Sequence, residues 1–258
     1  MMMPRVYIIG LGLGGWRGLP LEGLEAIRRV SRVLVDTYTN PISDEDLREI
    51  SRLSGKKVSK LRRGDVEEGD AVFRAAEEGD IAILCGGDPL IATTHQQLVR
   101  ELRRRGHEVR VIHGASVVTA AIGRSGLHVY KFGPPRTLMR PDVAPPGEVL
   151  RVLAENISRG LHTLVLLEYD AASGYVMGGR EALEILYDSQ RRMGARLPER
   201  GRPTLVMARL GYPDEEVVAL RWGELPRGEV PGPAVIIVAG SLHFTEREYL
   251  RDIFGLDV

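Results

Sequence analysis

A chain of 258 residues, 43% hydrophobic and 27% charged, is long enough for one large or two ordinary domains and has the composition of a soluble globular protein. Its formal net charge of zero gives no whole-molecule field for nucleic acid or an anionic membrane, so neither is expected as a partner. The single cysteine, Cys85, excludes an intrachain disulfide and fits a cytoplasmic protein. No apolar run reaches the roughly 18 residues of a membrane span. Met1-Met2-Met3 leads straight into a strand rather than a signal peptide. The basic clusters Arg100–Arg105 and Arg191–Arg192 read as solvated helix faces. Scarce Asn and Gln, with Arg well ahead of Lys, point to a heat-adapted source.

In chain order, Val6–Ile9 reads as a strand, Leu21–Val30 as an amphipathic helix and Val33–Val35 as a second strand. Helical patterns follow at Leu47–Leu53 and Val66–Ala76, then the apolar strand Ile81–Leu84. A helix at Gln96–Arg105 and a strand at Val109–Ile112 close the first half. This alternation predicts an α/β fold with a mostly parallel sheet. Beyond it, Leu161–Leu167, Thr204–Ala208 and Ala234–Val238 are strong strands, with a helix around Arg180–Arg192. Glu216–Arg221 suits an antiparallel strand or hairpin. The chain is therefore divided near residues 111–116. An N-terminal α/β domain (1–113) with a mostly parallel sheet precedes a C-terminal α/β domain (114–258) with a mixed sheet, and a cleft between them is the expected ligand site.

Two glycine-rich loops carry the chemistry. Gly10-Leu11-Gly12-Leu13-Gly14-Gly15 has dinucleotide-binding spacing, and Asp36 stands where a ribose-binding acid would. However, Trp16 to Pro20 intervene before the helix, which starts too late to point its amino end at a pyrophosphate. A Gly-rich turn against which a ligand lies is the better reading. Gly86-Gly87-Asp88-Pro89-Leu90-Ile91-Ala92-Thr93-Thr94-His95 follows the buried strand and forms a rigid loop where an open α/β sheet usually holds its ligand. Asp88 has no helix to cap, so a ligand-facing role and a turn-bracing role are evenly placed. Thr93 with Gln96, or Thr94 with Gln97, fits a capping box, and His95 fits a satisfied structural histidine. Ser116 is the natural N-cap of a helix after His113-Gly114-Ala115. Six dispersed histidines and one cysteine give no metal-ligand spacing, and no metal is expected. Hydrolase and triphosphatase motifs are absent.

Taken together, these residues resemble the diphthine synthases, methyltransferases of diphthamide biosynthesis with a tetrapyrrole-methylase-like fold. The resemblance rests on Ile9–Leu13, Gly23–Ile27 and Gly87–His95, and continues through Val111–His113, Ser116, Gly126–Gly133, Arg159–Leu164 and Leu242-His243. The Ala92–His95 extension and the Gly126–Gly133 block are its more specific parts. Two departures are Cys85-Gly86 ahead of Gly87, where relatives often carry Pro, and Gly14-Gly15-Trp16, where relatives tend to be polar or acidic.

The resemblance implies S-adenosylmethionine as cofactor and a homodimer. It also implies, as substrate, the amino group of a 3-amino-3-carboxypropyl-histidine on translation elongation factor 2. Three methyl transfers belong to the archaeal pathway. By matching motif positions, Leu13, Asp88, Ile91, Ser116 and Val117 would contact the cofactor, with Leu167, Leu210 and Ala234 completing the site. Methyl transfer to an amine needs alignment and an unprotonated nitrogen but no metal. His95 and Asp88 are candidate bases, with backbone carbonyls an equal alternative, so no catalytic residue is assigned. A precorrin-type tetrapyrrole C-methyltransferase would need a wide cleft for a flat macrocycle, and only 5% of residues are aromatic. A non-catalytic regulator binding the cofactor or elongation factor is the alternative of another class; intact Gly12, Asp88 and Ser116 stand against it.

Overall fold

The computed structural model describes residues 4–61, 64–65 and 69–258, which divide into two compact units. One comprises the chain to Val117 together with Asp170–Gly174, and the other comprises Val118–Tyr169 and Tyr175–Val258.

In the first unit, β1 (Arg5–Gly10) leads through a 3-10 turn (Gly15–Gly18) to α1 (Leu21–Arg29) and β2 (Arg32–Asp36). Then come α2 (Asp44–Ser54), β3 (Val58–Leu61), α3 (Asp70–Glu78), β4 (Ile81–Cys85), α4 (His95–Arg104) and β5 (Glu108–Ile112). Every pairing in the sheet is parallel, in the order β3-β2-β4-β1-β5. Alternate residues of its strands face opposite ways. Val6, Ile8, Ile81, Ile83 and Val109 pack on Val72, Phe73, Leu98 and Leu102 of α3 and α4. Tyr7, Ile9, Val33, Val35, Ala82 and Leu84 pack on Ala26, Ile27, Leu47 and Ile50 of α1 and α2. With both faces covered, central strands must be continuously apolar, and each large aliphatic side chain so buried contributes about 1.5–3 kcal/mol. Of the helix expected over Val66–Ala76, positions 66–68 lie outside the described residues, as do Met1–Met3; the described helix is Asp70–Glu78. β3 was not anticipated, because a four-residue edge strand half made of exposed polar side chains lacks an apolar run.

The second unit takes in α5 (Val117–Ser125) from Val118 onward, β6 (Arg136–Leu138), α6 (Gly147–Ser158), β7 (Thr163–Leu167), the short strand β8 (Tyr169–Asp170) as far as Tyr169, and β9 (Tyr175–Val176). These are followed by α7 (Gly179–Met193), β10 (Pro203–Ala208), β11 (Glu216–Arg221), β12 (Ala234–Val238) and α8 (Phe244–Phe254). Its sheet, ordered β11-β10-β12-β7-β6, is antiparallel except for the parallel β6–β7 edge. Its core joins Leu150, Leu153, Leu183 and Leu186 of α6 and α7 to Val165, Val206, Ile236 and Val238, with Trp222 buried against Tyr187.

Candidate functional site

The two glycine-rich loops meet at the carboxyl ends of β1 and β4. Gly12 and Gly87 exchange backbone hydrogen bonds, Gly12 N–H to Gly87 O at 3.1 Å and Gly87 N–H to Gly12 O at 3.0 Å. The loop after β5 closes on the same point. A Cβ at Gly10 would lie 2.5 Å from Gly87 O and 2.7 Å from Gly114 N. One at Gly114 would lie 2.5 Å from Gly87 O and 2.6 Å from Gly12 N. Three backbones thus touch where no side chain fits. Gly87 itself has φ +69° with open space on its Cβ side, so its backbone can be approached closely.

This junction brings together the loops carrying Leu13, Asp88, Ile91 and Ser116, with Val117 the first residue of α5. Leu13 is half-buried, Ile91 is exposed and Ser116 is buried. Ala92 is held at φ 55°, a left-handed conformation that an L side chain seldom adopts, and such strain clusters at ligand loops.

Asp88 uses both carboxylate oxygens. Oδ1 accepts from Leu90 N–H at 2.9 Å, bracing the turn, and Oδ2 lies 2.7 Å from His113 Nδ1. The Asp88 side chain is only 8% exposed, whereas the His113 side chain is 69% exposed. The sequence alone assigns His113 no chemical role. The signal for it was its place one residue beyond a strand, level with Asp88, and only the sheet order makes that visible.

The capping box expected at Thr93 or Thr94 is not formed. Thr94 occupies the N-cap without a side-chain bond, and Gln96 Nε2 instead donates to Leu90 O at 3.2 Å. Thr93 Oγ1 bonds His95 Nδ1. His95 is buried, with Nε2 3.0 Å from Asp36 Oδ2 but off the line of a good hydrogen bond. Burial pushes the Asp36 carboxyl up, but His95, the Thr39 hydroxyl and Tyr38 N–H outweigh it and hold it below the usual carboxylate range. Asp36 is therefore committed to tying the β2 loop to α4, and is closed to a ribose. Cys85 is buried, and burial with the negative charges of Asp36 and Asp88 pushes its thiol far up, so it is inert.

Gly14-Gly15-Trp16 is held by α2. Trp16 N–H donates to Asp46 Oδ1 at 2.8 Å, while Asp46 Oδ2 accepts from Ser43 N–H at 3.0 Å in a capping box. A Cβ at Gly15 would overlap Asp46, so the second glycine of the pair is needed for this contact.

In the second unit, Leu167, Leu210 and Ala234 come to one end of the sheet. Ala208 pairs with Ala234 and Leu166 with Val235, which places the end of β7, the start of β12 and the turn after β10 side by side. Leu210 and Ala234 are buried and Leu167 is half-buried. Arg209, at φ 53°, donates its N–H to Pro233 O at 2.8 Å and sets this turn.

A buried polar network gathers the second unit's remaining landmarks. Glu246 and His162 are fully buried, 3.0 Å apart. Gly240 N–H donates to His162 Nδ1 at 2.8 Å, so the ring proton is on Nε2 and points at Glu246. Burial pushes the Glu246 carboxyl up. Lys131 Nζ at 2.6 Å and the N–H groups of His128 and His243 at 2.8 and 2.7 Å outweigh it and hold it at about 2. Burial lowers His162 despite Glu246, so the pair is neutral imidazole with carboxylate. Among the described residues, no cluster of His, Cys, Asp or Glu is arranged to hold a metal, and no helix is long and apolar enough to cross a membrane.

The tetrapyrrole (corrin/porphyrin) methylase family matches residues 5–226. The chain is 35% identical to a diphthine synthase of Methanothermobacter thermautotrophicus, covering 97% of this chain and 96% of that one. It is 38% identical to a diphthine synthase of Methanopyrus kandleri, with 97% and 96% covered. A crystal structure of diphthine synthase superposes with a TM-score of 0.84 at 32% identity, covering 97% and 96% of the two chains. Those likenesses run through both units and through the glycine junction, and the protein belongs to the diphthine synthase family of methyltransferases within the tetrapyrrole methylases.

Proposed function

We propose that this methyltransferase binds S-adenosylmethionine at the glycine junction and transfers its methyl group to the amino group of a 3-amino-3-carboxypropyl-histidine on elongation factor 2. The observation that carries the reading is the junction itself: three loops in backbone contact, with one face of Gly87 open. With no side chain on its open side, Gly87 lets a ligand lie directly against the backbone, and Leu13 and Ile91 offer apolar surface beside it. Ser116 and Val117 contact the cofactor from the start of α5. The sulfonium supplies an activated methyl group. The protein's part is to hold nitrogen, methyl and sulfur in line, an alignment worth up to about 7–11 kcal/mol of barrier. The homodimer and the cytoplasmic location belong to the same proposal.

The test is incubation with labelled S-adenosylmethionine and elongation factor 2 bearing the carboxypropyl intermediate, followed by mapping of the label. Label on that histidine is expected; label on a precorrin and none on the histidine overturns the reading. Asp88→Ala, which frees Leu90 N–H and unfastens the loop, is expected to weaken cofactor binding about tenfold or more by calorimetry. Unchanged affinity removes Asp88 from the binding site. Sedimentation at micromolar concentration is expected to give a dimer, and a monomer overturns that part.

A further inference from the structure

An amine enters this reaction protonated, and its lone pair becomes available only when a base takes the proton. The first unit offers few groups at the junction for that task. His95 is buried beneath the loop and committed to Thr93 and Asp36. Asp88 is nearly enclosed, with both oxygens engaged. His113 differs on each count. Its side chain is exposed, it stands one residue past β5, and the next residue, Gly114, is fixed against Gly87 O and Gly12 N. With a carboxylate 2.7 Å away, Nδ1 carries the ring proton and the Nε2 lone pair is left as the basic position. An acid hydrogen-bonded behind an exposed histidine is the arrangement that serves general-base catalysis.

We propose that His113 is the catalytic base that accepts the acceptor amine's proton, with Asp88 as the positioning residue that sets its tautomer. The step rests on the methyltransferase reading above. The ammonium N–H bond breaks and its proton moves to Nε2, leaving the electron pair on nitrogen. That pair forms the new N–C bond while the methyl's C–S bond breaks, its electrons remaining on sulfur as a neutral thioether. The imidazolium then returns the proton to solvent. Asp88 thereby has two functions through two oxygens: Oδ1 shapes the loop and Oδ2 orients the base.

The experiment compares wild type, His113→Ala and Asp88→Asn in single-turnover methyl transfer to elongation factor 2 carrying the intermediate. Cofactor affinity is measured by calorimetry, and ring tautomers by nitrogen-15 spectroscopy of the free protein. His113→Ala is expected to lose about 100-fold or more in transfer rate. Its affinity for S-adenosylmethionine should hold, and added imidazole should recover part of the rate. The spectrum is expected to show His113 protonated at Nδ1 in wild type and to lose that preference in Asp88→Asn. A His113→Ala rate within threefold of wild type overturns the proposal. So does a rate loss with weakened cofactor binding and no rescue, which marks a structural residue. If wild type itself transfers no methyl to elongation factor 2, the functional reading fails. The tautomer measurement still decides the dyad, because an Nε2-protonated His113 excludes its use as base.

Discussion

Glu246→Ala is expected to destabilise the second unit by about 3 kcal/mol, because several donors lose the one buried acceptor they share. The reason lies in what the carboxylate leaves behind. His162 Nε2–H, the His128 and His243 N–H groups and Lys131 Nζ all point at it, and Glu246 and His162 are themselves fully buried. Glu246 also caps α8 through His243 N–H, so the helix loses its first-turn acceptor. The acid dependence gives an independent figure. Folding lowers the Glu246 carboxyl from 4.5 to about 2, a difference of about 3 kcal/mol. Because the folded value lies below the unfolded one, this stabilisation is present in full above pH 4.5. It is lost as pH falls from about 4.5 to about 2. Urea unfolding at pH 6, 4 and 3 measures both effects. Wild type should lose stability steeply over that range, while Glu246→Gln should start lower and vary less. A variant within about 1 kcal/mol of wild type at pH 6 would mean that the network is incidental.

Gly114→Ala should abolish detectable S-adenosylmethionine binding while leaving the rest of the first unit folded. The added Cβ would meet Gly87 O at 2.5 Å, Gly12 N at 2.6 Å and Gly10 C at 2.9 Å. All three are backbone atoms, so no side-chain rotation relieves the overlap, and the loops must part. Overpacking of this kind costs about 1–3 kcal/mol in stability. The binding loss is larger because Gly12, Gly87 and their neighbours all move. Gly123→Ala is the control. It lies inside α5 with open space around its Cβ, and alanine there should stabilise by roughly 0.5–1 kcal/mol. Calorimetry and thermal melts on the two variants separate a loop effect from a general one. Gly114→Ala that binds normally would show that the junction yields without consequence to the ligand.

The chain alone carried much of this. Ile81–Leu84 and Val6–Ile9 are apolar at every position, which only a strand covered on both faces requires, so the parallel sheet could be read directly. The delayed start of α1 behind Pro20 was equally legible, and with it the exclusion of a dinucleotide turn. Gly10, Gly12 and Gly87 announced close backbone approach by their residue type. What they approach was not in the local sequence: it is one another and Gly114. The local capping rule failed at Thr93 and Thr94 because His95 found a buried carboxylate 59 positions earlier, and tertiary burial outweighs a cap worth about 1 kcal/mol.

Sequence by itself thus determined the α/β class, the glycine loops and the family landmarks, since each depends on residue type and short-range period. Tertiary structure alone decided which side chains act together. Asp88 and His113 meet because β1 lies between β4 and β5 in the sheet. Glu246 meets Lys131 and His162 because Gly126–Gly133, the approach to β7 and the start of α8 share one buried site. Partnerships across 25 and 115 positions follow from strand order and burial, which set side-chain distance but leave no periodic trace in the chain.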